Sequence, residues 1–157
     1  MRMAQQNLQH NMQDAYERAM QEALRELELI GLEIVAKVVQ YLERRNIQVT
    51  GDLTKSIQQE VTRELNSATL RVGAYVRYAH FVHFGTKPHW PPRKPIVRWV
   101  KKKFGLTGKE LQKRVYFTRR KIGLRGTKGR PFLAAPFRLF RNVIAKRVAD
   151  AMSRGLA

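Results

Sequence analysis

The sequence contains no cysteine, and this absence excludes disulfide frameworks, thiolate zinc sites and cysteine nucleophiles. It also lacks any uninterrupted apolar run of about 18 residues, the length expected of a membrane-spanning helix. Residues 1–15 are polar and lack the apolar segment of a secretory signal peptide. We therefore expect a soluble protein that is cytoplasmic at synthesis and is not inserted in a membrane.

Acidic residues are scarce in the second part of the chain. Residues 65–157 hold 2 Asp and Glu against 23 Lys and Arg, whereas residues 1–64 hold 10 against 8. The two segments therefore carry net charges of +21 and −2, which together give the formal charge of +19. An excess confined to one segment predicts a polyanionic partner, nucleic acid first and an acidic protein or membrane surface second. A basic face that is merely solvated is the alternative.

Catalytic motifs are missing as well. The chain has no G-x-S-x-G, no P-loop and no G-x-G-x-x-G, and its basic half has no paired carboxylates. His80, His83 and His89 lie close in sequence, but no Asp or Glu occurs between Glu64 and Glu110 to complete a metal site. We predict no catalytic residue, no metal and no cofactor, and therefore no enzyme. A basic ribonuclease or toxin is the alternative, since sites built from Lys, Arg and His leave little sequence trace.

A long amphipathic helix is predicted at the start of the chain. Apolar residues recur at spacings of three and four from Met12 to Leu42, and we place the helix at residues 8–45, with Asn46 as its end. About 38 residues at ~1.5 Å each span about 57 Å, which exceeds the width of a domain of this size. The first part should therefore project or pack on a neighbour. The alternative is a break near Gly31 into two ordinary helices.

A small antiparallel sheet is predicted next. Thr50 can cap a short helical turn. Alternating apolar residues then predict strands at residues 58–65 and 68–76, joined by a turn at Asn66 and Ser67. Because two strands alone are only marginally stable, we expect at least one more, from this chain or from a neighbouring subunit.

The second half is predicted to be mainly helical. In chain order we expect a Pro-rich loop at 87–95, short basic helices at 95–104 and 108–122, a flexible loop at 123–129 and a C-terminal helix at 136–153. A capping box at Thr107 to Glu110 opens the second short helix, and Gly155 ends the last one. The predicted buried stripe of that last helix consists of Phe137, Phe140, Val143, Ile144, Val148, Ala151 and Met152.

These elements predict one α+β domain at residues 1–157. A long N-terminal helix and a C-terminal helix pack on a small antiparallel sheet, and two short basic helices are inserted after an aromatic and Pro-rich loop. Residues 8–45 form the long, partly projecting helix, and residues 47–157 hold the sheet, the basic helices and the C-terminal helix.

Two sets of residues are candidate binding residues. The first set is basic, lies on the short helices and the Gly-rich loop, and is predicted to contact phosphates of nucleic acid: Arg98, Lys101, Lys102, Lys103, Lys113, Arg114, Arg119, Arg120, Lys121, Arg125, Lys128 and Arg130. The second set is aromatic and is predicted to anchor a subunit or partner interface: Tyr78, Phe81, Phe84, Trp90 and Phe132. For Phe81 and Phe84 the alternative is packing in the core between the sheet and the C-terminal helix.

Four ordered motifs resemble a known family. They are T-G-x-L-x-x-S-I at residues 50–57, a strand ending in V-G at 72–73, Y-A-x-F-V-x-F-G-T at 78–86 and G-T-x-G-x-P-F-L at 126–133, before a long last helix. This order, covering residues 10–155, resembles the minor tail-component family of long-tailed bacteriophages, the tail-completion or neck proteins that join the filled head to the tail. The chain departs from that family at His83, where Glu is usual, and in the longer insertion at 90–124.

The resemblance implies an α+β subunit that assembles as a homo-oligomeric ring of six around the channel through which double-stranded DNA passes. Its implied partners are the head connector or stopper protein and the tail terminator or tail tube protein. Its implied location is the neck or tail top of the virion, after synthesis in the host cytoplasm. A tail terminator or a head-side stopper is the alternative within this class, since all are small ring-forming subunits. A sequence-independent DNA-binding architectural protein is the second class, because it requires only the charge.

Overall fold

The computed structural model describes residues 2–47 and 51–157 of the chain. Its helices and strands, in chain order, are α1 (Arg2–Arg44), α2 (Asp52–Lys55), β1 (Ile57–Arg63), β2 (Ala68–Ala74), α3 (Ala79–Phe84), β3 (Gly85–Thr86), α4 (Arg93–Phe104), α5 (Gly108–Arg125), β4 (Thr127–Lys128) and α6 (Ala134–Leu156). The fold is α+β, with a long N-terminal helix, a long C-terminal helix and a small antiparallel sheet, as the sequence predicts.

Helix α1 is continuous, so the alternative of a break at Gly31 is wrong. Gly31 lies where the helix packs against Gln59 of β1 and Leu70 of β2. The buried face begins at Ala19 and continues to Leu42. Ahead of Ala19, the apolar side chains of Met3, Leu8 and Met12 are exposed, as expected of a segment that projects from the core. The helix also starts earlier than predicted, because its first residues have no buried face and hence no periodic signal.

Helix α6 packs along α1, and the two helices run in opposite directions. The last turn of α6 meets α1 at Ala19, where Gly155 is buried against the backbone of α1. The prediction that Gly155 ends the helix is therefore wrong, because α6 continues to Leu156 and uses this glycine for close packing. Val143, predicted to be buried, is exposed, whereas Phe140, Ile144 and Val148 pack against the main core.

Strands β1 and β2 form an antiparallel hairpin, with Ile57 opposite Ala74 and Arg63 opposite Ala68. Its turn lies at the predicted position. Strand β1 begins one residue and ends two residues earlier than predicted, and β2 ends two residues earlier. One face of the hairpin covers α1 and contributes to the main core. Within the described residues no third strand joins this sheet, so the expected additional strand does not come from this part of the chain.

The short helix α2 follows residues 48–50, which lie outside the described residues together with the predicted cap Thr50. Gly51, with φ of 79°, occupies the N-cap position, and no side chain caps the helix there. Leu53 of α2 is buried in the main core.

Helices α4 and α5 pack on each other around a small core of their own. Its buried residues are Val100, Leu111 and Val115. Helix α4 begins at Arg93, two residues earlier than predicted, and α5 continues to Arg125. Thr107 is the N-cap of α5, but its side chain makes no capping hydrogen bond, so the capping box is not formed. The predicted flexible loop is also wrong, because Gly123 lies inside α5 and β4 follows Gly126.

None of the helices in the described part of the chain is both long and apolar enough to span a bilayer.

Candidate nucleic-acid interface

The basic residues predicted to face nucleic acid concentrate on one structural unit. We call residues 87–126, which contain α4, α5 and their connecting segments, the basic hairpin. The basic hairpin holds 14 Lys and Arg against a single Glu, so its net charge is +13. Two-thirds of the excess charge of the chain therefore lies in about a quarter of its residues.

The positive charge of the basic hairpin is not neutralised by acidic neighbours. The ion pairs among residues 2–47 and 51–157 lie on α1, β1 and α6, for example Arg63 with Glu17 and Arg147 with Glu26. No cation of the basic hairpin takes part in an ion pair within this described part. An uncompensated field of this size attracts polyanions and accelerates their association.

Of the twelve predicted basic residues, all except Arg119 are exposed. Ten lie on the basic hairpin, whereas Lys128 and Arg130 lie just after it, on and beyond β4. Consecutive helical residues are about 100° apart, so Lys101, Lys102 and Lys103 cover about 200° of the circumference of α4. The positive charge therefore surrounds the end of this helix.

Three predicted cations are held by aromatic rings or carbonyls. The Arg114 guanidinium lies 4.6 Å from the centroid of the Phe104 ring, and the Lys103 ammonium lies 5.2 Å from that of Trp99. Arg119 is half-buried and donates a hydrogen bond from Nε to the Pro91 carbonyl oxygen at 3.0 Å. Arg119 therefore holds the loop before α4 in position, and it also contributes positive charge to the basic hairpin.

The prediction omitted four cations of the basic hairpin, which are Lys87, Arg93, Lys94 and Lys109. All four are exposed, and Arg93 donates a hydrogen bond to the Gln112 side chain of α5. They lie among prolines or at a helix start, where no apolar period assigns them to a surface. Helical periodicity therefore gives no signal for these four cations, although they add to the charge of the whole insertion.

The motifs at residues 78–86 and 126–133 meet at the base of the basic hairpin. Gly85 and Thr86 of β3 pair antiparallel with Lys128 and Thr127 of β4. The hydroxyls of Thr86 and Thr127 are 3.0 Å apart, and the Thr127 amide also donates to the Thr86 hydroxyl at 3.1 Å. We call this two-strand ladder the stem. Segments that are separated by 41 positions in the sequence thus form a single attachment for the basic hairpin.

Glycine is required at the stem because the two backbones approach closely. Gly126 has φ of 67°, and a Cβ atom there would overlap the Thr86 carbonyl oxygen. A Cβ atom at Gly85, with φ of 80°, would overlap the Thr127 carbonyl oxygen. These clashes give a physical reason for the glycines in both motifs.

The structure separates the five predicted interface aromatics into three groups. Tyr78, Phe81 and Phe84 are exposed on and beside α3, and Phe84 is 69% exposed. Trp90 is also exposed but belongs to the basic hairpin, where it lies on α5. Phe132 is fully buried, so its assignment to an interface is wrong. The alternative that Phe81 and Phe84 fill the core is also wrong.

Phe132 is buried because the chain returns from the basic hairpin through the stem to the main core. After β4, the Arg130 amide donates to the Val82 carbonyl of α3 at 2.9 Å. This hydrogen bond brings Phe132 under α3, where its ring centroid lies 5.2 Å from that of His83. The main core then includes Phe132 together with Ala79 and the buried face of α1.

The histidines of this region pack against aromatic rings. Burial lowers the pKa of His83, and the neighbouring His80 lowers it further. The Nδ1 atom of His83 is buried without a hydrogen-bond partner in the described structure. His89 is separate from them, with its Nδ1 atom 2.9 Å from the Lys87 carbonyl. Within the described residues, no three His, Asp or Glu side chains are grouped as metal ligands.

No protein family, curated protein or solved structure matches the chain.

Proposed function

We propose that this protein is a structural subunit of a bacteriophage neck, a tail-completion protein that joins the DNA-filled head to the tail. In this proposal it has no catalytic role. Copies of the chain form a ring, of six subunits by the resemblance, between the head connector or stopper and the tail terminator or tail tube. DNA passes through this ring on leaving the head.

The ordered motifs support the choice of a neck protein over a free DNA-binding protein. A requirement for charge alone predicts neither Y-A-x-F-V-x-F-G-T nor G-T-x-G-x-P-F-L. Both motifs have a structural task in this chain, since their glycines and threonines build the stem and Phe132 anchors it in the core. The stem holds the inserted basic hairpin on an α+β fold of the kind that the resemblance implies.

The observation that carries the DNA-channel part of the proposal is the charge of the basic hairpin, +13 over 40 residues, none of it paired within the described part of the chain. Double-stranded DNA presents one phosphate charge per ~1.7 Å of its axis, whatever its sequence. Six basic hairpins arranged around the duplex would contribute positive charge from every side. Contacts made by Lys and Arg to phosphate carry no sequence information, as passage of a whole genome requires.

A salt titration tests the role of these cations. We expect K101A/K102A/K103A to reduce the slope of log affinity for duplex DNA against log salt by roughly 0.9 for each phosphate that the variant no longer neutralises. R138A/R141A/K146A is the matched control, because it removes three exposed cations of α6 and leaves the basic hairpin intact. An equal change in both variants would mean that only net charge matters, and an unchanged slope in the first would remove the lysines from the interface.

The same cations could instead bind an acidic ring of the adjoining connector or tail tube. A short DNA duplex added to the complex with that neighbour distinguishes the two partners. If DNA and the neighbouring ring use one surface, the duplex competes with the ring, and K101A/K102A/K103A weakens both interactions. If only the binding of the ring weakens, the basic hairpin is a protein-binding element.

A sequence-independent DNA-binding architectural protein is the second candidate, and the charge of the basic hairpin favours it equally. The two candidates differ in what loss of the protein does to the virion. Loss of an architectural protein would leave heads and tails joined, whereas loss of a neck subunit would leave them separate.

A further inference from the structure

Trp90 is the more exposed of the two tryptophans, and its indole packs on α5. Its side chain is 61% exposed, although it lies against the surface of α5. A Cβ atom at Gly123 would lie 2.9 Å from Cε2 and 3.1 Å from Cδ2 of the indole. The ring therefore rests directly on the helix backbone at the one residue that leaves room for it. Glycine inside a helix lowers its stability, so close contact with the indole accounts for Gly123.

Hydrogen bonds on both sides of Trp90 fix the indole in place. The His89 amide donates to the Ile122 carbonyl at 3.4 Å, and Arg119 donates to the Pro91 carbonyl. The Arg119 guanidinium also lies 5.9 Å from the centroid of the indole ring. Arg119 and Gly123 are one turn apart on the same side of α5, so both lie on the side of the ring that is turned toward the helix. The side chain is nevertheless 61% exposed, so its exposed surface must lie mainly on the face turned away from α5.

A flat aromatic ring with one free face among unpaired cations suits a ligand that is both anionic and aromatic. Duplex DNA meets only half of this description, because its stacked bases expose only their edges in the grooves and offer no free face to the indole. An unpaired nucleotide meets both halves, since its base can stack on the indole while its phosphate contacts Lys or Arg.

We propose that Trp90 is a stacking platform for an unpaired base, and that the basic hairpin binds single-stranded nucleic acid through Trp90 and its cations together. This inference rests on the proposed function only in placing nucleic acid at the basic hairpin. It adds a preference for single-stranded over duplex nucleic acid, which phosphate contacts alone do not produce. This preference fits a ring of subunits that meets the end of a DNA molecule as well as its duplex part.

Fluorescence anisotropy with two labelled probes tests the platform. The probes are an oligothymidine of about 20 nucleotides and a duplex of the same length. We expect W90A to weaken oligothymidine binding by about 5- to 150-fold, the range for removal of one base-aromatic stack, and to leave duplex binding nearly unchanged. Y75A is the matched control, because Tyr75 is 64% exposed, close to the 61% of Trp90, and lies just after β2, outside both the basic hairpin and the predicted interface set. This variant should bind both probes as the unaltered protein does.

A second variant tests the geometry without removing the ring. In G123A the new methyl group displaces the indole from α5, and alanine favours the helix, so the fold is retained. We expect G123A to weaken oligothymidine binding in the same direction as W90A. In a W99F background, where Trp90 is the remaining tryptophan, oligothymidine should quench the indole fluorescence and the duplex should not.

Other results would overturn the platform in distinguishable ways. Equal weakening of both probes by W90A would assign Trp90 a structural role, and unquenched fluorescence would show that no base stacks on it. A smaller assembly of W90A in light scattering, with oligothymidine affinity per subunit unchanged, would make Trp90 a subunit contact. If the unaltered protein binds neither probe, the nucleic-acid role in the proposed function fails as well.

Discussion

At the scale of single residues, Arg147 makes the closest polar connection between the two long helices. Its Nε atom donates to Glu26 at 2.7 Å, and its two terminal nitrogens donate to the two oxygens of Glu33 at 2.9 and 3.0 Å. Glu26 and Glu33 are seven residues apart, so they lie two turns apart on one side of α1. The hydrogen bond from Arg147 lowers the pKa of Glu33 below its ordinary value of 4.5, and both carboxylates raise the pKa of Arg147 further above its ordinary range.

We predict that R147M lowers the free energy of unfolding by about 1–3 kcal/mol at pH 7. Most of this loss should come from Glu26, because the Glu33 side chain is 48% exposed and its ion pair is screened by solvent. The lowered pKa of Glu33 adds stability above pH 4.5, and this contribution is lost as the pH falls through the folded-state pKa. The difference between R147M and the unaltered protein should therefore narrow in acid.

Urea unfolding at pH 7 and pH 3 measures both effects. R141M is the control, since Arg141 is exposed on the same helix and should change stability by no more than about 0.5 kcal/mol. A loss in R141M as large as in R147M, or a difference that does not narrow in acid, would contradict this account of the ion pairs.

At the scale of helices and strands, periodicity predicted the elements that bury an apolar stripe. The four helices α1, α4, α5 and α6 and the β1–β2 hairpin all lie where the sequence places them, and their cores contain the predicted Ile34, Val100 and Leu111. Their ends were less predictable. The first turns of α1 and the last turn of α5 bury no side chain that would extend the pattern, so they carry no periodic signal.

The stem could not be predicted from the sequence, because each of its strands has only two residues. No period can be recognised over such a length, and the pairing joins segments 41 positions apart. The burial of Phe132 depends on the same return of the chain, so its assignment to an interface failed for the same reason. Gly123 suggested a loop because glycine disfavours helices, but its contact with Trp90 outweighs that preference.

We predict that G126A destabilises the stem more than G105A destabilises the end of α4. Both glycines have positive φ, 67° and 64°, but only Gly105, with ψ of 13°, is in the left-handed region, where another residue costs ~1–2 kcal/mol. Gly126, with ψ of −159°, is in a region that essentially only glycine adopts. Only Gly126 adds a backbone clash, with Thr86, whereas the space around Gly105 is open.

Hydrogen exchange monitors the stem directly through the amides of Thr127 and Arg130, which are hydrogen-bonded across it. These amides should exchange faster in G126A than in G105A or the unaltered protein. Equal exchange in the two variants would show that the stem tolerates a side chain at position 126, and that the backbone clash does not explain why glycine occurs there.

At the scale of the whole molecule, the positive charge is concentrated on one insertion. The basic hairpin carries +13 and the other 117 residues carry +6, so the field of the protein is centred on one insertion. At the N-terminal end, α1 continues past the last turn of α6 and exposes Leu8 and Met12. The exposed rings of Tyr78, Phe81 and Phe84 form a third surface. A subunit that contacts DNA and neighbouring proteins at once requires several separate surfaces of this kind.

Electron microscopy of a phage deleted for the gene can show whether this protein joins heads to tails, as we propose. We predict DNA-filled heads beside complete but unattached tails, with joined particles restored when the gene is supplied from a plasmid. Tails of uncontrolled length would instead identify a tail terminator. Normal infectious particles in the deletion would contradict the account and favour a DNA-binding architectural protein.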